Sequence, residues 1–181
     1  MKLEEKLLIK RLQDPNTLKN SFGELVTLYK QRLYWHIRNM VKDHQDTDDI
    51  LQNTFIKIFK NIQNFKGDSQ LYSWMYRIAT NESLTFLNNK AKRLHINSEE
   101  LQNKLIENLE SDAYFDGDQI QLKLQKAIAI LPEKQQLVFN MKYFQELKYR
   151  EISYILGTSE GALKASYHIA VKKIEEYLKM D

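Results

Sequence analysis

Apolar residues recur at helical spacing in nearly every segment of this chain, and the residues that would interrupt a helix are scarce: 5 Gly and 2 Pro among 181. Sandwiches and barrels need a turn residue every few positions, so this shortage points away from an all-β fold and toward an all-α one. A short amphipathic stretch runs from Leu3 to Leu12 and stops before Asp14-Pro15. A longer one opens at Ser21, a plausible N-cap, with Phe22, Leu25, Val26, Tyr29, Leu33, Ile37 and Val41 on one stripe. The next begins at Asp46-Thr47-Asp48-Asp49 and carries Ile50, Leu51, Phe55, Ile58, Phe59 and Ile62. Asn64 to Asp68 reads as a loop with Gly67 at positive φ, and Ser69 can cap a helix reaching about Ala91. From His95 to Asp118 the period weakens to Leu101, Leu105 and Leu109, a linker holding at most one loose helix and ending at Asp116-Gly117-Asp118. Helices resume over 119–131, 133–144, 148–156 and 159–179, with Pro132 in a first turn. The expected architecture is two small helical domains, 1–94 and 119–181, joined by an acidic linker over 95–118.

Charge follows the same division. Residues 1–94 hold 16 Lys/Arg and 10 Asp/Glu, residues 95–118 one Lys and seven acids, and residues 119–181 ten basic and seven acidic residues. Two basic blocks are thus joined by an acidic strip, which suits a polyanion ligand and equally an ordinary solvated surface. The chain has 0 Cys, which removes disulfides, thiolate nucleophiles and Cys-bearing zinc sites. No apolar run approaches the roughly 18 residues of a membrane span. The N-terminus, Met1 to Lys6, is charged and lacks the apolar core of a signal peptide, so membrane insertion is not expected and the cytoplasm is the default address.

Residues 149–168 carry the requirements of a helix-turn-helix. Ser153 is small where a second helix would cross, and Gly157, four residues on, can turn with φ > 0. Ile152, Leu156, Leu163 and Tyr167 supply apolar anchors, and Thr158 or Ser159 can cap the second helix with Glu160 at its positive end. Such a helix enters the major groove by its N-terminal residues, with Lys164 and His168 one turn apart on its exposed side. An αα-hairpin used only for packing would share several of these features, and Lys172-Lys173 could contact phosphate or simply face solvent.

The helix from Ser69 has apolar residues on two sides: Leu71, Trp74, Met75 and Ile78 on one, Tyr72 and Tyr76 roughly 100–140° away. A small domain seldom buries both, so some of these aromatics are expected to be partly exposed. Arg77, Asn81, Lys90, Lys92 and Arg93 follow. Rings beside cations suit unpaired bases, while tyrosines whose hydroxyls merely reach out of a core look the same in sequence. Asp46, Asp48 and Asp49 offset the helix dipole in any case; they lack the partners of a calcium loop, and Gln52, Asn53 and Lys57 beside them could complete a protein-docking surface.

Two stretches, in order, give the chain a resemblance to the extracytoplasmic-function (ECF) group of bacterial RNA polymerase sigma factors in the sigma-70 family. One is Asp46-Thr47-Asp48-Asp49-Ile50-Leu51-Gln52-Asn53-Thr54-Phe55-Ile56-Lys57-Ile58-Phe59, followed by Phe65-Lys66-Gly67-Asp68-Ser69-Gln70-Leu71-Tyr72-Ser73-Trp74-Met75-Tyr76-Arg77-Ile78-Ala79-Thr80-Asn81; the other is Leu131-Pro132-Glu133-Lys134-Gln135-Gln136 with the helix-turn-helix. The resemblance covers roughly residues 20–94 and 120–178. It implies that Asp46, Asp48, Asp49, Gln52, Asn53, Phe55 and Lys57 dock on the β′ clamp helices of core RNA polymerase. It implies that Phe65, Lys66, Gly67, Asp68, Ser69, Gln70, Tyr72, Trp74, Arg77, Asn81, Lys90, Lys92 and Arg93 serve the −10 element, where a base is flipped from the melted strand at a cost of a few kcal/mol. Ser159, Glu160, Lys164, Ala165, Ser166, His168 and Lys172 would serve the −35 element. The partners implied are core polymerase, through the clamp helices and the β flap, promoter DNA, and an anti-sigma factor; the acidic linker would thread near the RNA exit path.

The −35 helix departs from the family. Members often read Gly-Thr-Val-Lys-Ser-Arg-Leu-His-Arg-Ala; here the run is Gly161-Ala162-Leu163-Lys164-Ala165-Ser166-Tyr167-His168-Ile169-Ala170, with Ser166 and Ile169 where arginines stand. Arg is the commonest bidentate partner of guanine, so fewer such base contacts are expected. The competing function is a free-standing helix-turn-helix regulator binding duplex DNA as a dimer. An enzyme is not expected: there is no P-loop, G-x-S-x-G or H-E-x-x-H, and His36, His44, His95 and His168 are scattered without ligand spacing, so neither metal nor cofactor is called for.

Overall fold

The computed structural model describes residues 3–110 and 119–180, and all regular structure among them is helical. In order these are α1 (Leu3–Gln13), α2 (Leu18–Val41), α3 (His44–Asn61), a 3-10 turn (Ile62–Asn64), α4 (Leu71–Leu94), α5 (Ser98–Glu110), α6 (Gln119–Ala129), α7 (Glu133–Tyr143), α8 (Tyr149–Leu156) and α9 (Glu160–Lys179). The expected linker end, Asp116-Gly117-Asp118, lies outside the described residues.

Helix starts are where sequence and structure differ most. Ser21 does not open α2: it is buried inside the helix, its N–H donating to the Thr17 carbonyl at 3.0 Å. Thr17 takes the cap position, though its hydroxyl is given to the Arg11 carbonyl at 2.7 Å. Helix α3 starts two residues before Asp46, because the Asp43 carboxylate accepts the Asp46 N–H at 2.9 Å. Ser69 does not cap α4 either. Its hydroxyl donates to the Gln70 carbonyl, and the first free N–H of the helix, on Leu71, donates instead to the Glu5 carboxylate at 2.7 Å. A carboxylate from α1 thus satisfies a helix start 66 residues away and meets the positive end of its dipole.

Left-handed residues end α2, α4 and α8 and turn the loop before α4. Gly67 (φ 77°) and Gly157 (φ 64°) fall where the sequence predicts them, and a Cβ at either would meet no atom within 4 Å, so backbone conformation alone selects glycine. Lys42 (φ 56°) and His95 (φ 54°) cap α2 and α4 without being glycine.

The stretch after His95 is more ordered than a loose helix. Asn97 and Glu100 cap α5 reciprocally, at 2.8 and 2.9 Å. Leu101 and Leu109 are buried, and the Gln102 side-chain amide donates to the Ala129 and Leu131 carbonyls at the end of α6. The weak period misleads because only one narrow apolar edge is used.

The N-terminal helices surround Leu12, Leu25, Leu33, Ile37, Ile58, Leu71 and Met75, all wholly or almost wholly enclosed. Each such aliphatic side chain contributes about 1.5–3 kcal/mol on burial. Helices α6, α7 and α9 enclose a second cluster of Ala127, Ile128, Leu131, Phe139, Ala170 and Ile174. Leu137, Val138, Met141, Ile152, Ile155 and Leu163 of the C-terminal unit join the N-terminal core, because α8 packs on α4 and α7 on α2. This is why α4 buries both sides: Met75 and Tyr76 are each at most 1% exposed.

Candidate nucleic-acid interface

Helix α3 presents the first candidate surface. Its inner side buries Thr47, Ile50, Leu51, Thr54 and Ile58. Asp48, Asp49, Gln52, Asn53 and Lys57 are exposed, as a docking face requires. Asp46 is not free: it accepts from Lys90 of α4 at 2.5 Å, joining two residues assigned to different partners. Lys57 is bound to Glu82. Phe55 leans inward on Phe22 in an edge-to-face contact at 6.3 Å, so its part is largely packing. Ile56 is 44% exposed on the outer side, while Phe59, 42% exposed, packs edge-on against Phe22 at 4.9 Å. Periodicity alone gives no reason to single out Ile56; the signal is an apolar residue off the buried stripe amid acids and amides.

The second surface is the loop 65–70 with α4. Lys66, Gly67 and Asp68 are exposed and Ser69 and Gln70 half-buried. Phe65, expected in the DNA-reading set, is only 7% exposed; its ring lies 5.2 Å from that of Trp74, and its carbonyl accepts from Gln13 at 2.7 Å. Phe65 anchors the loop, and Trp74 is half-buried against it. Asn81, Lys92 and Arg93 are exposed along α4, while Lys90 is engaged with Asp46 and lies 5.8 Å from the Phe86 ring.

This surface is partly covered by the C-terminal unit. Tyr72 donates its hydroxyl to the Glu151 carboxylate of α8. Burial and then that carboxylate raise the Tyr72 phenol well above its ordinary range, so it stays a donor. The Arg77 guanidinium sits 5.2 Å from the centre of the Tyr154 ring, also on α8. Farther along α4, His36 of α2 lies between Thr80 (Nε2 to Oγ1, 2.8 Å) and Gln145, whose side-chain amide donates to Nδ1 at 2.9 Å. Burial lowers the His36 pKa to about 3, so the ring is neutral. Lys42, enclosed at the end of α2, donates to Gln125 of α6 at 3.2 Å; burial, with Arg38 nearby, lowers its pKa to about 7.

The third surface is the helix-turn-helix. Helix α8 ends at Gly157, and Ser159 accepts the Ala162 N–H at 3.4 Å to open α9. Ile152 and Leu163 are buried at the crossing, with Leu156 and Tyr167 packed beside them. The outer side of α9 is open: Ser159, Glu160, Ala165, His168 and Lys172 are exposed and Ser166 is half-buried at the edge. Lys164 is exposed too, but its ammonium folds back to 5.7 Å from the Tyr149 ring.

A helical unit with a basic, loop-led helix, followed by a helix-turn-helix with an open outer side, defines a DNA-binding transcription protein. The sequence matches the family Sigma-70 region 2 over residues 25–93 and the family Sigma-70, region 4 over residues 121–174. It is 26% identical over 183 residues to RNA polymerase sigma-H factor of Pseudomonas aeruginosa, covering 97% of this chain and 94% of that protein. It is 26% identical over 168 residues to ECF RNA polymerase sigma factor SigW of Bacillus subtilis, covering 88% and 90%. The fold is similar to that of CnrH, solved in complex with the cytosolic domain of CnrY, with a TM-score of 0.71 at 19% identity over 98% of both chains. It is also similar to the sigma factor RpoE of Bartonella quintana, solved in complex with the anti-sigma factor NepR, with a TM-score of 0.69 at 18% identity over 88% of this chain and 98% of that one. The chain belongs to the sigma-70 family and is an RNA polymerase sigma factor of the ECF group. Both units match in order, which a free-standing helix-turn-helix regulator would not require. No helix among the described residues is long and apolar enough to cross a membrane.

Proposed function

We propose that the outer face of α3, centred on Asp48, Asp49, Gln52 and Ile56, docks on the β′ clamp helices of core polymerase. The loop 65–70 and α4 then read and melt the −10 element, and α9 reads the −35 element beside the β flap. The observation that carries this reading is the division of labour on the surface: α3 and α9 each leave an outer face open to solvent, on units matching regions 2 and 4. Domain 2 would span 1–94, domain 4 would span 119–181, and 95–118 would be the linker, which contains α5. The linker's excess of acids suits a basic channel built for RNA. The protein would work in the cytoplasm as an initiation factor, leaving the chemistry of RNA synthesis to the core enzyme.

The packing of α8 on α4 is a closed arrangement. Tyr72 cannot face DNA while it holds Glu151, and Arg77, though exposed, is engaged with Tyr154, so full use of this surface at a promoter requires the two units to part. An apolar groove of about 790 Å³ between α4, α5 and α7, lined by Leu84, Leu87, Leu101, Leu105 and Leu137, lies farther along α4, away from α8. CnrH and RpoE were solved with CnrY and NepR, and an anti-sigma protein is the partner whose apolar segment would suit this groove.

Footprinting tests the reading. Holoenzyme assembled from this chain and core polymerase should protect both elements of a selected promoter, and the chain alone should protect neither. Protection of a palindromic site by the chain alone would favour the free-standing regulator.

A further inference from the structure

The outer side of α9 is unlike that of a helix reading bases mainly by hydrogen bonds. The helix contains no Arg, and Lys164 is turned back toward Tyr149. Its outward surface carries Ala162 and Ala165, both exposed, and Ile169, 45% exposed, spaced i, i+3 and i+7 on one stripe. Gly161 at the start adds no side chain, so the backbone can approach closely.

An exposed isoleucine beside two alanines gains nothing in water. It gains when an apolar group covers it, and in the major groove that group is the C5 methyl of thymine. The stripe spans about 10 Å at 1.5 Å per residue, about three base-pair steps. His168 and Lys172 flank it with polar groups.

We propose that Ala162, Ala165 and Ile169 make this sigma factor a thymine-methyl reader at −35, with Ile169 the principal specificity-determining residue. The inference rests on the assignment of α9 to the −35 element. Specificity there comes from apolar contact with two or three neighbouring thymines on either strand, and the Lys172 ammonium at the flank contributes affinity more than sequence choice.

The test uses holoenzyme reconstituted from the full chain and core polymerase. Linear promoter DNA with a randomised −35 region is selected by binding, and each thymine in the enriched element is then replaced by deoxyuridine. This removes the methyl and keeps every hydrogen-bonding group. At one or more positions the swap should weaken binding about threefold to fivefold, the value of one apolar carbon returned to water. Ile169→Ala, on the surface and outside the core, should abolish sensitivity at one such position. An enriched element lacking thymine, or one in which every deoxyuridine swap changes binding by less than about 1.5-fold, overturns methyl reading while leaving α9 as the −35 helix. If no −35 sequence is enriched, the assignment of α9 fails and the proposal fails with it.

Discussion

Tyr72 of α4 and Glu151 of α8, 79 residues apart, share a hydrogen bond in which the phenol donates to the carboxylate. The same carboxylate accepts the Lys148 N–H at 2.8 Å, so the cap of α8 and the tie to α4 depend on one side chain. One carboxylate thus links the start of α8 to the helix assigned to −10.

Tyr72→Phe removes the tie without touching the cap or the ring. Hydrogen bonds to charged groups contribute about 1.5–3 kcal/mol, and this half-exposed one should sit near the lower end. The free variant should show a larger radius of gyration or a lower transfer efficiency between dyes on the two units. An unchanged distance distribution would mean that the apolar contacts of α8 alone hold the units together.

Holding the units closed should block initiation. The chain has 0 Cys, so two can be placed cleanly, at Asn39 and Gln121, which line one cleft from α2 and α6 and belong to no proposed interface. The Asn39→Cys/Gln121→Cys protein cross-linked by a short bismaleimide should still bind core polymerase through α3 and should fail to form open complexes. The unlinked double variant should form them. Open complexes from the linked form would show that α8 need not leave α4.

Acid should loosen the fold through His36. Its ordinary pKa of 6.5 is lowered by burial to about 3, so between those values the unfolded chain holds a proton that the folded chain does not. Stability is therefore complete above about pH 6.5 and falls by up to about 1.4 kcal/mol per pH unit below it. Urea melts from pH 7 to pH 5 should show this slope, and His36→Gln should flatten it. Lys42 acts in a separate window above about pH 7.

On α3, Ile56→Glu should weaken core polymerase binding tenfold or more, on the order expected for a buried interface anchor, with the melting temperature unchanged. Phe55→Ala is a different experiment, because Phe55 packs on Phe22 and its loss should lower stability first. Wild-type affinity in folded Ile56→Glu would remove α3's outer face from the polymerase interface.

The local features were legible in the sequence. Gly67 and Gly157 take positive φ, Ser159 caps α9, and Ile152 and Leu163 are buried, because each follows from neighbours a few residues away. What was not legible depends on partners far along the chain. Glu5 capping α4, Asp46 pairing with Lys90 and α8 engaging Tyr72 and Arg77 are set by packing between distant helices, and no local spacing announces them. Phe65 looked like a loop residue available to DNA because the depth of the loop's seat on Trp74 and Gln13 is a tertiary fact. Ile56 escaped for the opposite reason: it lies off the apolar stripe of α3, and a lone apolar residue among acids and amides gains meaning only when its burial shows that it faces outward.

The account stands on the claim that this protein acts at promoters only when bound to core RNA polymerase, and run-off transcription from a selected promoter measures that directly. With core enzyme plus this chain, a single start site should appear downstream of the footprinted −10 element, and omitting either component should abolish the transcript. Transcription that starts equally well without the chain, or a chain that never joins the core enzyme, would contradict it.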